Sequence, residues 1–160
     1  MFDELAPRVF AYARRHCDRT GAQDVVSETF MVAWRKSGDL PPDPLPWLLV
    51  VARNVISNRR RRDRRHDALL DSLAGVERLA ARPAGADQTV VERDALISAL
   101  AELTDLEREA VLLVAWDGLR NAEAARVAGC SQRAFEVRLS RARARLARLL
   151  QTTVAVEGTT

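Results

Sequence analysis

Arginine side chains form two dense groups in the sequence. Residues 53–66 hold seven arginines and one aspartate, and residues 129–160 hold six arginines and two glutamates. Guanidinium groups bind phosphate oxygens through paired hydrogen bonds and keep their charge at any cellular pH. Because each group falls at the end of a predicted helix, the pattern favours binding of a polyanion over a merely solvated surface.

The small net charge conceals this pattern. The formal charge is only +3, because residues 67–128 hold twelve acidic side chains against six arginines. A basic amphipathic membrane helix is the competing interpretation, but neither group is paired with a wide apolar face bordered by Trp or Phe. The apolar runs are far shorter than the roughly 20 residues that cross a bilayer, and the opening MFDELAPR lacks the order of a signal peptide. We expect a cytoplasmic protein that makes no membrane contact of its own.

Residue types that catalysis or metal binding requires are sparse. His16 and His66 are isolated, no glycine-rich phosphate loop is present, and Cys17 and Cys130 are too few for a disulfide framework. An enzyme is therefore a weak alternative, and we expect no catalytic residue, no cofactor and no metal.

The segment after Gly118 has the spacing of a helix-turn-helix. A short helix over 122–128, a turn containing Gly129 and a long helix opened by Ser131 follow one another in that order. An ordinary helical hairpin is the alternative, but the face of the long helix opposite its apolar stripe is polar. Arginine there could read guanine, and a carboxylate could accept from cytosine N4. The candidate DNA-reading residues are Gln132, Arg133, Glu136, Val137, Arg138, Ser140 and Arg141, and further arginines (Arg143, Arg145, Arg148) extend the basic surface.

The elements that position these residues are all predicted as helices, since no run alternates between apolar and polar residues. Helices are expected over about 3–16, 22–36, 45–64, 90–103, from 105 to Gly118, and over the helix-turn-helix. Capping boxes are predicted at Thr20 with Gln23 and at Thr104 with Glu107, Pro46 suits a first helical turn, and Asn121 is predicted to cap the short helix. Three tryptophans are assigned to the core: Trp34, Trp47 and Trp116.

Proline and glycine divide this all-α chain into two small helical domains. Pro83 and Gly85 lie among small polar residues, which is typical of a flexible linker. We expect domains over residues 1–66 and 90–150, joined by a linker over 67–89, with a tail over 151–160.

Three stretches resemble the extracytoplasmic-function class of bacterial sigma factors, the promoter-specificity subunits of RNA polymerase. AQDVVSETFMVAW (22–34) resembles region 2.2, PWLLVVARNVISNRRRR (46–62) resembles the helix that faces the −10 element, and residues 99–146 resemble region 4, which reads the −35 element. The resemblance covers about residues 1–150 in the family's order. It implies that the chain directs transcription initiation by recognising both promoter elements.

The resemblance also implies partners and residue roles. Asp24 and Glu28 match the acidic positions that dock on the β′ clamp helices of core RNA polymerase. The other expected partners are the polymerase β subunit, promoter DNA and an anti-sigma factor. The residues expected to face the −10 element are Arg53, Asn54, Ser57, Asn58, Arg60 and Arg61.

The chain departs from the family pattern at several positions. Ser27 replaces a common glutamine, and the loop from Gly38 to Pro44, which in the family captures a flipped base, is short and proline-rich. Phe135 replaces a small β-branched residue, and Glu136 replaces a frequent basic one. The last two changes lie on the reading helix and are expected to shift the −35 preference.

A stand-alone helix-turn-helix repressor or activator, binding an operator as a dimer, is the alternative function. It leaves the acidic and apolar stripe of residues 22–34 and the first arginine group unexplained. Co-purification with core polymerase, as opposed to self-association on palindromic DNA, distinguishes the two.

Overall fold

The computed structural model describes residues 2–63 and 90–157, which belong to two compact units. Every regular element in these ranges is an α-helix or a 3₁₀ turn, so the all-α prediction is confirmed. The expected linker lies outside the described residues, and the two units are described one at a time.

The first unit is a three-helix bundle. Helix α1 spans Phe2–Arg14, α2 spans Arg19–Arg35 and, after a 3₁₀ turn over Ser37–Asp39, α3 spans Leu45–Asp63. Each helix packs on the other two. The side chains that fill the bundle's centre are Val9, Tyr12, Val25, Thr29, Leu48 and Leu49, all almost completely buried.

The starts of α2 and α3 are fixed by aspartates. Asp18 is the N-cap of α2, and its Oδ1 accepts a hydrogen bond from the Gly21 N–H at 2.8 Å. The capping box predicted at Thr20 is wrong, because Asp18 supplies the cap and the helix has begun by Arg19. Pro46 lies in the first turn of α3, as predicted, and Asp43 Oδ1 accepts from the Leu45 N–H at 3.3 Å.

The second unit is built around one long helix. Helix α4 spans Val90–Ala101, α5 spans Asp105–Ala115, α6 spans Asn121–Ala128 and α7 spans Gln132–Glu157. Helices α4, α5 and α6 all pack on α7. The core of the second unit includes the side chains of Leu113, Val127, Phe135, Leu139 and Ala142. Helix α7 ends at Glu157 and therefore includes most of the tail expected over 151–160.

Local signals at the helix ends explain most of this layout. The capping box at Thr104 is confirmed: Thr104 Oγ1 accepts from the Glu107 N–H at 3.3 Å, and Glu107 Oε2 accepts from the Thr104 N–H at 3.0 Å. Gly129 has a φ of 70°, which a glycine adopts without steric cost. Ser131 Oγ accepts from the Ala134 N–H at 3.2 Å, so the predicted cap of α7 is confirmed.

The start of α6 differs from the prediction by one residue. Asn121 is already helical, and Arg120 is the N-cap residue. The cap is completed from inside the helix, since Glu123 Oε2 accepts the Arg120 backbone N–H at 2.9 Å.

Two of the three tryptophans are exposed, so their assignment to the core was wrong. The side of α2 that faces the bundle carries Ala22, Val25, Thr29 and Ala33. Trp34 lies about 100° around the helix axis from Ala33 and is 83% exposed. Trp116 is 44% exposed at the end of α5. Trp47 is half-buried.

Candidate nucleic-acid interface

The first three turns of α7 separate a buried face from an exposed one. Phe135, Leu139 and Ala142 are buried in the unit's core. The structure places the predicted DNA-reading residues on the other side: Gln132, Arg133, Glu136, Val137, Ser140 and Arg141 are exposed, and Arg138 is half-buried. This is the arrangement that lets a helix enter a major groove with its base-reading side outward.

A hydrogen bond joins two of these exposed side chains. Gln132 Nε2 donates to Glu136 Oε1 at 2.8 Å, one helical turn along α7. The bond joins two exposed side chains at the amino-terminal end of α7.

A shallow groove of about 250 Å³ runs beside the reading helix. One wall is the start of α5 and the other is α7; the lining residues are Thr104, Leu106, Glu107, Ala134, Val137, Arg138 and Arg141. Leu106 and Val137 are 54% and 47% exposed. Leu106 was not predicted from the sequence, because its contact with this face depends on how α5 packs against α7.

An ion pair links α5 and α7. Arg145 Nη1 lies 3.3 Å from Glu107 Oε2, and both side chains are partly buried. The pKa of Glu107 is lowered, mainly by the backbone N–H of Thr104 that its carboxylate accepts. Arg145, predicted to extend the basic surface, is thus also paired with a carboxylate of α5.

In the first unit, the two predicted polymerase-binding carboxylates share one arginine. Arg59 Nη2 lies 2.8 Å from Asp24 Oδ2, and Arg59 Nε lies 3.4 Å from Glu28 Oε1. Arg59 Nη1 also donates to the Gly21 carbonyl at 3.3 Å. The pKa of Arg59 is raised, chiefly by its hydrogen bond to Asp24. About half of each carboxylate side chain stays exposed.

The residues expected to face the −10 element form one side of α3. At 100° per residue, they lie within a sector of about 160°. In chain order, Asn54, Asn58, Arg60 and Arg61 are exposed, whereas Arg53 and Ser57 are half-buried. Arg60 Nη2 donates to the His16 carbonyl at 3.1 Å, and Arg61 Nη2 donates to Asn58 Oδ1 at 3.1 Å.

Arg59 lies outside that sector, which explains why it turns toward α2. No role was predicted for it, because it is one of four consecutive arginines and only its position around the helix distinguishes it. The helical period of α3 was the signal that could have identified it.

An exposed apolar patch continues the acidic stripe of α2. Met31 follows Glu28 by three residues and is 55% exposed, and Arg35 Nη2 lies 3.7 Å from its sulfur. Trp34 borders the same stripe. Neither was predicted as a surface residue, because Trp34 was assigned to the core and Met31 had no assigned role.

Metal-binding clusters and membrane spans are both missing from the described ranges. No group of three or more His, Cys, Asp or Glu side chains there could hold a metal ion. None of the helices there combines the length and apolar character that a membrane span requires.

Comparison with known proteins yields matches over both units. Residues 1–66 match the family Sigma-70 region 2, and residues 93–146 match Sigma-70, region 4. The RNA polymerase sigma factor NccH of Alcaligenes xylosoxydans xylosoxydans is 35% identical over 80% of this chain and 72% of NccH. The RNA polymerase sigma factor CnrH of Cupriavidus metallidurans is 36% identical over 82% of this chain and 74% of CnrH.

A solved structure is similar as well. It is the co-crystal structure of the sigma factor RpoE with the anti-sigma factor NepR from Bartonella quintana. The TM-score is 0.66 and the sequence identity 25%, over 94% of each chain.

Proposed function

The chain belongs to the extracytoplasmic-function (ECF) group of RNA polymerase sigma factors, the promoter-specificity subunits of bacterial polymerase, and from this we propose how its two units divide the work. The first domain, residues 1–66, binds core polymerase and holds the −10 element. The second domain, residues 90–150, reads the −35 element as a duplex. Residues 67–89 link them.

The polymerase-binding surface lies on α2. Asp24 and Glu28 are its charged part, and Arg59 sets their positions by pairing with both. Met31 and Trp34 add exposed apolar area beside the carboxylates. A patch that combines apolar area with fixed charge is typical of a protein-protein interface, which supports docking of this helix on the β′ clamp helices.

The −10 surface lies on α3. Its polar residues share one side of the helix, and the arginines among them can bind the phosphates of a separated strand. Asn54 and Asn58 offer amides for unstacked bases. Capture of such bases offsets an unpairing cost of a few kcal/mol per base.

The −35 surface lies on α7. Arg141 and Val137 point away from the core and border the groove with Leu106. Arginine reads guanine O6 and N7 in the major groove, and apolar side chains contact the thymine methyl group.

The partners follow from family membership and from what RpoE binds. The chain acts with core polymerase, through its β′ and β subunits, and with promoter DNA. RpoE of Bartonella quintana was solved with its anti-sigma factor NepR. That complex supports an anti-sigma partner here, and we expect such a partner to cover the polymerase and DNA surfaces.

The chain acts in the cytoplasm as a specificity factor and not as an enzyme. Strand capture and duplex reading need positioning and charge, and neither requires covalent chemistry from the protein.

The observation that carries this proposal is the presence in one chain of both sigma regions, each with its functional side exposed. Run-off transcription with core polymerase on a promoter library is the test. The chain should select templates by both elements.

Arg141→Ala should weaken promoter binding and relax selection in the −35 element, because it removes a base-reading guanidinium. Unchanged footprints and transcription would contradict the assignment of α7.

A second variant tests the function of the first domain separately from that of the second. Replacement of both Asp24 and Glu28 by Ala should reduce binding to core polymerase and leave binding of an isolated −35 duplex intact. Self-association on palindromic DNA without polymerase binding would instead support a dimeric repressor.

A further inference from the structure

The amino-terminal end of the reading helix carries a preformed pair of side chains. Gln132 is the first residue of α7, and Glu136 lies one turn further along. Both are exposed, and the amide of Gln132 donates to the Glu136 carboxylate at 2.8 Å. Among the described residues, no cation lies within ion-pair distance of Glu136.

The hydrogen bond changes what each side chain can offer to a base. A free glutamine reads adenine with its amide donor on N7 and its carbonyl on N6. Here one amide hydrogen is already committed to Glu136. The groups left facing outward are mainly acceptors: the Gln132 carbonyl and the remaining carboxylate lone pairs of Glu136.

The major-groove edges of the four bases respond differently to a group of acceptors. Guanine presents two acceptors, and thymine presents an acceptor and a methyl group. Adenine presents its N6 donor beside the N7 acceptor, and the lone pair of N7 repels a carboxylate. Cytosine presents the N4 amino donor, so it is the base that suits this pair best.

We propose that Gln132 and Glu136 act as one acceptor unit that selects a cytosine, on either strand, within the −35 element. This rests on the proposed function, namely that α7 reads the −35 duplex. Glu136 contacts the base and also positions Gln132, which on its own would favour adenine. A carboxylate close to phosphates is repelled by them, so its binding energy depends on meeting the cytosine donor.

The test uses the full chain with core polymerase on promoters randomised through the −35 element, with transcribed templates sequenced. The wild-type protein should prefer cytosine at one position by about tenfold. Glu136→Gln should reduce that preference, and Glu136→Ala should shift it toward adenine, because Gln132 is then free. Glu102→Gln, which alters an exposed glutamate outside the reading helix, is the matched control and should leave every preference unchanged.

The outcomes distinguish failure of the Gln132–Glu136 acceptor unit from failure of the proposed function of α7. If −35 selection persists but no position changes in the Glu136 variants, the acceptor unit is wrong and the function of α7 stands. If Gln132→Ala and Glu136→Ala alter different positions, the two residues do not act as a unit. If the wild-type protein shows no −35 selection, the proposed function of the second domain fails as well. Unchanged thermal unfolding of the Glu136 variants would show that changed preferences do not arise from misfolding.

Discussion

At the residue scale, burial separates glutamates that look alike in the sequence. Glu123 is only 5% exposed, while Glu136 is exposed on the reading helix. Glu123 accepts from the Arg120 backbone N–H and from its Nε at 3.0 Å, and it pairs with the Arg120 guanidinium end as well. These bonds, led by the guanidinium, lower the pKa of Glu123 below its ordinary value.

This lowered pKa predicts an acid-dependent contribution to stability. The folded protein binds the Glu123 proton less readily than the unfolded chain, so unfolding takes up a proton at acidic pH. The stabilisation is complete above the ordinary pKa of 4.5 and is lost as the pH falls through the lowered folded value. Glu123→Gln should therefore lower the free energy of unfolding by about 1 kcal/mol at neutral pH, with a difference that shrinks on acidification.

Thermal unfolding of both proteins across acidic pH measures this directly. Other titrating groups are common to both, so the difference between the two curves isolates Glu123. A difference that stayed constant into the acid-unfolding range would contradict the pairing with Arg120.

Single residues were also where sequence interpretation was weakest. One step along a helix turns a side chain by about 100°. Trp34 follows buried Ala33 and is exposed for that reason, and Arg59 reaches α2 while Arg60 and Arg61 are exposed. A hydrophobic or basic residue at the edge of a stripe has no sequence signal that fixes its side, because packing against the neighbouring helix decides it.

At the element scale, Arg59 links α2 and α3 through polar interactions. Its three interactions reach the first turns of α2, at Gly21 and Asp24, and the next turn at Glu28. An exposed ion pair alone contributes little to stability. Arg59 is expected to contribute more because it interacts with three residues of α2 at once.

Arg59→Met should therefore lower the stability of the first unit by about 1 kcal/mol, and this destabilisation should diminish at high salt. Urea unfolding read by hydrogen exchange of the α2 and α3 amides reports on that unit. Arg61→Met is the matched control, since the hydrogen bond that its guanidinium donates goes to Asn58 within its own helix. Equal destabilisation in the two variants would show that Arg59 stabilises only through its aliphatic stem.

The elements themselves were largely predictable, because their ends carry local chemistry. Thr104 with Glu107, Gly129, Ser131 and Pro46 acted as the sequence suggested. The failures at Thr20 and Asn121 came from competition between nearby caps. Asp18 caps α2 before Thr20 can, and Glu123 completes the start of α6 from within. Which of two adjacent caps is used depends on the chain's approach to the helix, and the sequence alone does not determine it.

At the scale of the whole molecule, charge is segregated. Within the described residues, the arginines of the two groups lie on α3 and α7, and the acidic stretch lies between the two groups in the chain. Binding of promoter DNA by the complex with core polymerase should weaken steeply with salt, because each neutralised phosphate releases counterions.

The variant with both Arg60→Gln and Arg61→Gln should reduce the slope of log K against log salt by about two, one for each phosphate that the variant no longer neutralises. Filter binding or fluorescence anisotropy over a salt series gives the slope. Arg8→Gln, which changes an exposed arginine of α1 outside both proposed DNA surfaces, should leave the slope unchanged. A double variant with the wild-type slope would mean that the exposed side of α3 does not meet phosphates.

The end of α2 has a practical consequence for chemical labelling. Lys36, the C-cap residue of α2, is exposed. It is the only lysine in the sequence, because the other 24 basic residues counted as Lys or Arg are arginines. An amine-reactive fluorophore would therefore mark a single side chain, two residues from Trp34 and next to the candidate polymerase surface. Lysine acetylation, for the same reason, could silence none of the cationic groups that we propose to face DNA.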